Sequence, residues 1–334
     1  MISTTLRRRP ALALGALAVA ASLGLAGCSS TVEAAKAPAD TSNKTIGVSI
    51  SDQTSLFYIA AVDGMEDEAK ARGYKLIVQQ AGDDGTTQVN QVQNLITQKP
   101  GAVIFTPTNA TAANTGAKAL NDAGIPIIGV DQKPTADSGT KLTTYIATDS
   151  VKAADTLALW LFDQIGNSGE VGVLTGIQGS TAQLERSEGL EKAVKATPGI
   201  KIVGSQTADW DETKAFNKAQ SLISANPDMK AIFAESDAMA LGASKAAKQA
   251  GRSLKIVGID GFPTMFTAIA AGSPDATQAQ QPYKMGRLAV QDAIKAITKD
   301  GTIPALQYQD TVLLTEENVA DHDPTEFYGP RLKQ

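Results

Sequence analysis

The sequence predicts an α/β protein made of two doubly wound parallel-sheet lobes. Three observations lead there. From Thr45 onward, short β-branched runs alternate with helical stretches. The runs are almost continuously apolar, as strands covered on both faces must be. The alternation then starts afresh after about residue 150. Two series of similar size fit two lobes better than one very large sheet, because a single core stops growing at roughly 250–300 residues.

The chain opens with "MISTTLRRRPALALGALAVAASLGLAGC". Arg7, Arg8 and Arg9 form a basic start, Ala11 to Leu25 an apolar run, and Ala26 and Gly27 a small-residue cleavage site. The apolar run is shorter than the roughly 20 residues of a membrane-spanning helix. Residues 1–27 are therefore expected to be a secretory signal peptide. The three arginines hint at twin-arginine export, but the rest of that motif is missing. Cys28 is the only cysteine among 334 residues, so neither an internal disulfide nor a cysteine cluster for a metal is available. The ending "LAGC" resembles a bacterial lipobox, which implies cleavage before Cys28 and acylation of its thiol. Each buried lipid methylene then contributes about 0.8 kcal/mol to membrane attachment. Residues 28–44 are small and polar and are expected to form a flexible tether.

In the first series the strands are "TIGVSI", "YKLIVQQ", "GAVIFTP" and "IPIIGV", separated by helical stretches at 57–72, 88–98 and 110–121. The second series contributes "EVGVLTG", "IKIVGSQ", "MKAIFAE" and "LKIVGID", again with helices between them. Parallel sheets bind ligands beyond the carboxyl ends of their strands, where the loops converge at a switch in strand order. The loops in that position are "SDQTSLFY", Asp131-Gln132, "GIQGSTAQLER", "ADW", "ESDAM", "IDGFP" and "QAQQP". The final stretch, "NVADHDPTEFYGPRLKQ", either wraps one lobe through Phe327 and Tyr328 or hangs loose.

Composition and motifs narrow the chemistry. The charged fraction is 19% and the net charge −5, which gives no electrostatic footprint for nucleic acid. The one histidine, His322, lies near the C-terminus, so hydrolytic triads and histidine-based zinc sites lose their main residue. "TGIQGS" lacks the G-x-G-x-x-G spacing and no Walker A motif occurs, so no cofactor is expected. Asp131 and Asp260 could form a glycosidase pair, but that chemistry needs one protonated acid at a set separation, and nothing in the sequence favours it. The loops suit a neutral polyhydroxylated ligand better. Asp, Gln and Arg side chains can bridge neighbouring hydroxyls, and Phe57, Tyr58 and Trp210 offer flat apolar faces. Each aromatic also has a plainer role open to it, in packing a helix start or a strand end.

The stretches "TIGVSISDQTSLFYIAAVDGMEDEAKARGYKLIV", "LERSEGL", "SQTADWDETKA", "AIFAESDAMALGA" and "IVGIDGFP" carry a family resemblance. From about Thr45 to Glu317 the chain resembles type I periplasmic solute-binding proteins, most of all the ribose-binding group. The resemblance implies two lobes on a three-segment hinge: 45–148 with 281–310, and 149–280 with 311–320, leaving 321–334 as an extension. It implies that stacking aromatics fall on Phe57, Tyr58 and Trp210, two ligand aspartates on Asp131 and Asp260, an arginine on Arg186 and a glutamine on Gln280. Three positions depart from the ribose pattern: Ser55 and Ser236 replace asparagines, and Gln132 replaces an arginine. The changes shorten polar reach and remove a charge, so another pentose, a linear polyol or a cyclitol fits at least as well as ribose. The implied activity is ligand capture without catalysis and without metal. The implied protein is a lipid-anchored extracytoplasmic monomer serving an ABC-type permease. Two other readings compete: a sensor presenting the sugar to a membrane receptor or kinase, and a LacI-type repressor. The repressor would need a DNA-binding helix-turn-helix where this chain has an export signal.

Overall fold

The computed structural model describes residues 42–332. The expected signal peptide, Cys28 and most of the tether therefore lie outside the described residues. The first series is β1 (Thr45–Ile50), α1 (Leu56–Arg72), β2 (Lys75–Gln80), α2 (Gly85–Thr97), β3 (Ala102–Thr106), α3 (Ala110–Asp122), β4 (Ile127–Val130) and β5 (Thr144–Thr148). The second runs α4 (Ser150–Gln164), β6 (Gly169–Thr175), α5 (Thr181–Ala196), β7 (Ile200–Thr207), α6 (Glu212–Ala225), β8 (Met229–Ala234), α7 (Asp237–Gln249), β9 (Lys255–Asp260), α8 (Pro263–Ala270) and β10 (Ala276–Ala279). The chain finishes with α9 (Pro282–Thr298), β11 (Leu306–Gln309), β12 (Val312–Thr315) and α10 (Thr325–Tyr328).

The predicted α/β class holds. One sheet has the order β11-β5-β4-β3-β1-β2 and the other β12-β10-β9-β8-β6-β7. All neighbours are parallel except β12, which runs antiparallel to β10. Helices cover both faces of each sheet. In the first, α1 and α9 pack on one side through Met65, Met285 and Ala289, while α2 and α3 pack on the other through Leu95 and Leu120. In the second, α4 and α5 cover one face, and α6, α7 and α8 the other. Strands β3, β4 and β5 are buried along their whole length, which is why their sequences show no alternation.

Strand order reverses between β1 and β3, and again between β6 and β8. The loops leaving those strands must diverge there, and a crevice opens at the carboxyl end of each sheet. Helix caps sharpen the same rim. Asp84, Asn109, Asp149, Ser180, Asp211 and Ser236 each accept a hydrogen bond from a first-turn backbone N–H. The Asp84 cap also explains why α2 begins at Gly85 rather than at the expected residue 88. Strands β5, β11 and β12 were not among the expected runs; β11 and β12 have four residues each, and "LQYQ" carries only a weak alternation. Asn43 and Lys44, expected in the tether, are docked: Asn43 Nδ2 donates to the Lys99 carbonyl, and the Lys44 carbonyl accepts from Lys75 N.

Helices α1 and α9 touch backbone to backbone. A Cβ on Gly64 would lie 2.1 Å from the Tyr283 carbonyl oxygen, and one on Gly286 would lie 1.9 Å from that of Ala61. Beside this crossing the buried Glu68 accepts from Arg287 Nε at 2.9 Å, Arg287 Nη2 at 2.7 Å and Gln291 Nε2 at 3.0 Å. Gly286→Ala should therefore push the helices apart and cost at least about 1–3 kcal/mol, the usual range for overpacking. Thermal unfolding should show a melting temperature lower by several degrees, and an unchanged one would mean that the crossing relaxes freely.

Candidate functional site

The crevices of the two sheets face each other and form one cleft of about 450 Å³. Ser55, Phe57, Tyr58, Asp131, Gln132, Arg186, Trp210, Ser236, Asp260 and Gln280 all line it. The first sheet contributes the loop after β1. Asp52 organises that loop, its carboxylate accepting from Thr54 N at 2.9 Å, Thr54 Oγ1 at 2.7 Å and Ser55 N at 2.9 Å. Ser55 occupies the N-cap of α1 but makes no side-chain cap bond, so its hydroxyl is not spent on the helix. Phe57 and Tyr58 meet edge to face with ring centroids 5.3 Å apart. Tyr58 Oη donates to Asp131 Oδ2 at 2.8 Å, an interaction that composition and spacing gave no means of expecting. Burial raises the pKa of the Asp131 carboxyl, with the Tyr58 hydrogen bond and the Arg186 charge opposing it.

Gln132 reaches across the cleft. Its Oε1 accepts from Thr181 N at the start of α5 at 2.8 Å, and its Nε2 lies 3.3 Å from Asp131 Oδ2. Next to it Lys133 pairs with Glu185 of α5 at 3.0 Å. Gln132 thus lines the cleft with its carboxamide oxygen joined to the opposite side and its nitrogen held beside Asp131 on its own side.

On the second sheet the centre is Arg186, which is 4% exposed. Its Nη1 donates to the Glu235 carbonyl, its Nη2 lies 3.5 Å from Asp260 Oδ1, and its guanidinium stacks 5.4 Å from the Trp210 ring centroid. Trp210 is wedged from beside Gly176, where any Cβ would lie 1.9 Å from the indole. Gln280 joins the two sheets with one carboxamide: Oε1 accepts from Thr148 Oγ1 at 2.6 Å and Nε2 donates to Asp260 Oδ1 at 2.8 Å. Ser236 Oγ, by contrast, caps α7 through Met239 N.

Several features of the rim were missed in the sequence. Asp83, Asp131, Asp209, Trp210 and Asp260 line the cleft with φ values of 58°, 62°, 52°, 64° and 148°, conformations that L residues seldom adopt. Such strain persists only where the surroundings enforce it, and it gathers at functional sites. Asp237, fully buried, accepts from Gly261 N and Phe262 N at 2.7 Å each and from Thr277 Oγ1 at 2.6 Å, which fixes the loop after β9. Among the described residues, Thr108 Oγ1 and Arg186 Nε lack a hydrogen-bond partner, and both residues line the cleft. Of the described residues, six aspartates border it (Asp52, Asp83, Asp131, Asp209, Asp211 and Asp260) against one cation, Arg186. The arrangement is rich in acceptors, flanked by aromatic faces, and unsuited to an anion. No group of three or more metal-ligating side chains occurs among the described residues.

Residues 46–303 match the family described as periplasmic binding protein domain. The chain is 34% identical over 259 residues to the ribose import binding protein RbsB of Bacillus subtilis, covering 77% of this chain and 83% of that one. It is 30% identical over 339 residues to the xylitol-binding protein of Mycolicibacterium smegmatis, covering 93% and 95%. Among solved structures, an ABC transporter periplasmic solute binding protein from Actinobacillus succinogenes with bound D-allose is similar with a TM-score of 0.78. That likeness has 32% identity and covers 83% of this chain and 99% of that one.

The carboxyls under Arg186 have a consequence for stability. Burial pushes Glu235 up to about 7 from its ordinary 4.5, against the Ser187 and Gly176 hydrogen bonds that favour its charge. The folded protein then keeps a proton that the unfolded chain releases above about pH 4.5. That contribution is full below the unfolded value and is lost as the pH rises toward 7. Burial shifts Asp237 and Asp260 in the same direction. The protein should melt at a lower temperature at pH 8 than at pH 5, and Glu235→Gln should narrow that gap. Equal gaps in both proteins would show that Glu235 does not titrate with folding.

Proposed function

Because the chain belongs to the periplasmic binding protein family, we propose that it captures a neutral monosaccharide or polyol between two closing lobes and delivers it to an ABC-type permease. It is an extracytoplasmic binding protein, not an enzyme. The observation that carries the ligand reading is the convergence of all ten residues named above on one acceptor-rich cleft. The lobes comprise 45–148 with 281–310 and 149–280 with 311–320. Import rather than sensing is favoured by the relative named for ribose import. The mature protein acts as a monomer held to the membrane through lipid on Cys28.

The roles follow from the chemistry. Phe57, Tyr58 and Trp210 shield the C–H faces of the ligand. Asp131, with Oδ2 engaged by Tyr58 and Gln132, offers Oδ1 to a ligand hydroxyl. Arg186 and Gln280 hold Asp260 for the same purpose from the other side. Ser55 and Ser236 shape the cavity floor with shorter reach than asparagine. A ligand that touches both lobes stabilises the closed form by its differential affinity. The contacts of Gln132 and Lys133 with α5 support closure at the mouth. Water leaves on closure, so an unpaired hydroxyl costs about 1–3 kcal/mol and epimers are separated sharply. Six aspartates against one arginine repel sugar acids and sugar phosphates.

Calorimetry with D-ribose, xylitol and D-allose tests the reading. At least one should bind, and at about 100 times its dissociation constant should add roughly 2.7 kcal/mol of stability. Asp131→Ala should weaken that binding at least tenfold with an unchanged circular dichroism spectrum. If none of the three binds, or if Asp131→Ala binds as the wild type does, the cleft has been assigned wrongly.

A further inference from the structure

The tail beyond β12 lies outside the family match, which ends at residue 303, yet it is fixed in place at both halves of the molecule. On the second sheet, Phe327 is buried against Phe266 of α8, with ring centroids 6.1 Å apart. Tyr328, 1% exposed, stacks edge to face on Phe262 at 5.9 Å and donates through its Oη to the Asp260 carbonyl at 2.9 Å. Asp260 is the residue held at φ 148°. Its carbonyl also accepts from Gln280 N at 2.9 Å.

Three residues later the tail grips the other half. Arg331 Nη1 reaches Asp63 Oδ1 at 3.1 Å and Glu66 Oε2 at 2.7 Å, while Nη2 reaches the Asp63 carbonyl at 2.9 Å and Asp67 Oδ1 at 2.5 Å. Asp63, Glu66 and Asp67 stand at i, i+3 and i+4 on one face of α1, a spacing at which like charges destabilise a helix. That face is made for a cation, and a planar guanidinium fork matches several carboxylates in a way a lysine does not. Between the two grips, Gly329 lies so close to Tyr283 of α9 that a Cβ would be 2.3 Å from its ring.

We propose that the C-terminal tail is a strap in which Tyr328 positions Asp260 and Arg331 fastens that position to α1 beneath the opposite sheet. Tyr328 is a positioning residue: it touches the backbone of Asp260 and not the cleft. Relative motion of the two halves must strain or release this tie, so the strap sets how far the cleft opens. The part of the proposal that concerns affinity rests on Asp260 being a ligand residue, as argued above.

Two variants test it in the full-length chain with Cys28→Ser, spin-labelled through cysteines at the exposed positions Thr115 on α3 and Lys248 on α7. Arg331→Gln, without added sugar, should widen the distribution of label-to-label distances relative to the unsubstituted tail. An identical distribution overturns the strap. Tyr328→Phe removes one oxygen; it should weaken calorimetric binding of whichever of D-ribose, xylitol or D-allose the parent binds by at least threefold. Unchanged affinity overturns the positioning role. Should the parent bind none of the three, the ligand reading falls, and the distance measurement alone still decides the strap.

Discussion

The buried guanidinium of Arg186 is the constraint on which the second half of the cleft depends. Taking a charge out of water costs several kcal/mol unless partners surround it, and here the partners are the Glu235 carbonyl, the Asp260 carboxylate and the Trp210 ring. Each of these belongs to a different segment, so satisfying one cation aligns the ends of β8 and β9 with the loop after β7. The strained backbone of Trp210 and Asp260 is tolerable because this cluster over-determines both. Arg186 and hydrogen bonds offset the desolvation of the carboxyls crowded beneath it only in part, which is why Glu235 and Asp260 hold their protons above the ordinary carboxyl range.

The first half is organised differently. Among the described residues no buried cation stands at its rim; instead a tyrosine hydroxyl and a carboxamide share one carboxylate oxygen of Asp131. Gln280 then couples the halves, with Thr148 on one side of its carboxamide and Asp260 on the other. A side chain with one acceptor and two donors is well matched to that position, because it can serve a hydroxyl and a carboxylate at once. The joint is neutral and short, so it transmits position without adding charge to a cleft already rich in aspartate.

Much of this was legible in the sequence because parallel strands buried on both faces leave uninterrupted β-branched runs, as "AVIFT" and "KIVGID" do. The loops at the carboxyl ends of those runs contain the ten residues that line the cleft, but which residues of each loop to single out was implied mostly by the resemblance to the ribose-binding group. What stayed hidden had non-local or weak causes. β11 and β12 are four-residue strands whose pairing is decided by distant partners. The bond of Tyr58 to Asp131 spans 73 residues, and left-handed aspartates look like any others in a sequence. "EFYGPRLKQ" likewise gave no sign that Arg331 would meet three acids more than 260 residues earlier.

The contact between Gly176 and the Trp210 indole limits how such a receptor can be retuned over evolutionary time. With no room for even one methyl group beneath the ring, that wall behaves as a fixed template, and drift toward a bulkier or smaller solute has to proceed elsewhere. Ser55 lines the same cleft without spending its hydroxyl on a helix cap, whereas Ser236 is committed to capping α7. A change in the size of the solute therefore meets less resistance at Ser55 than beneath the indole.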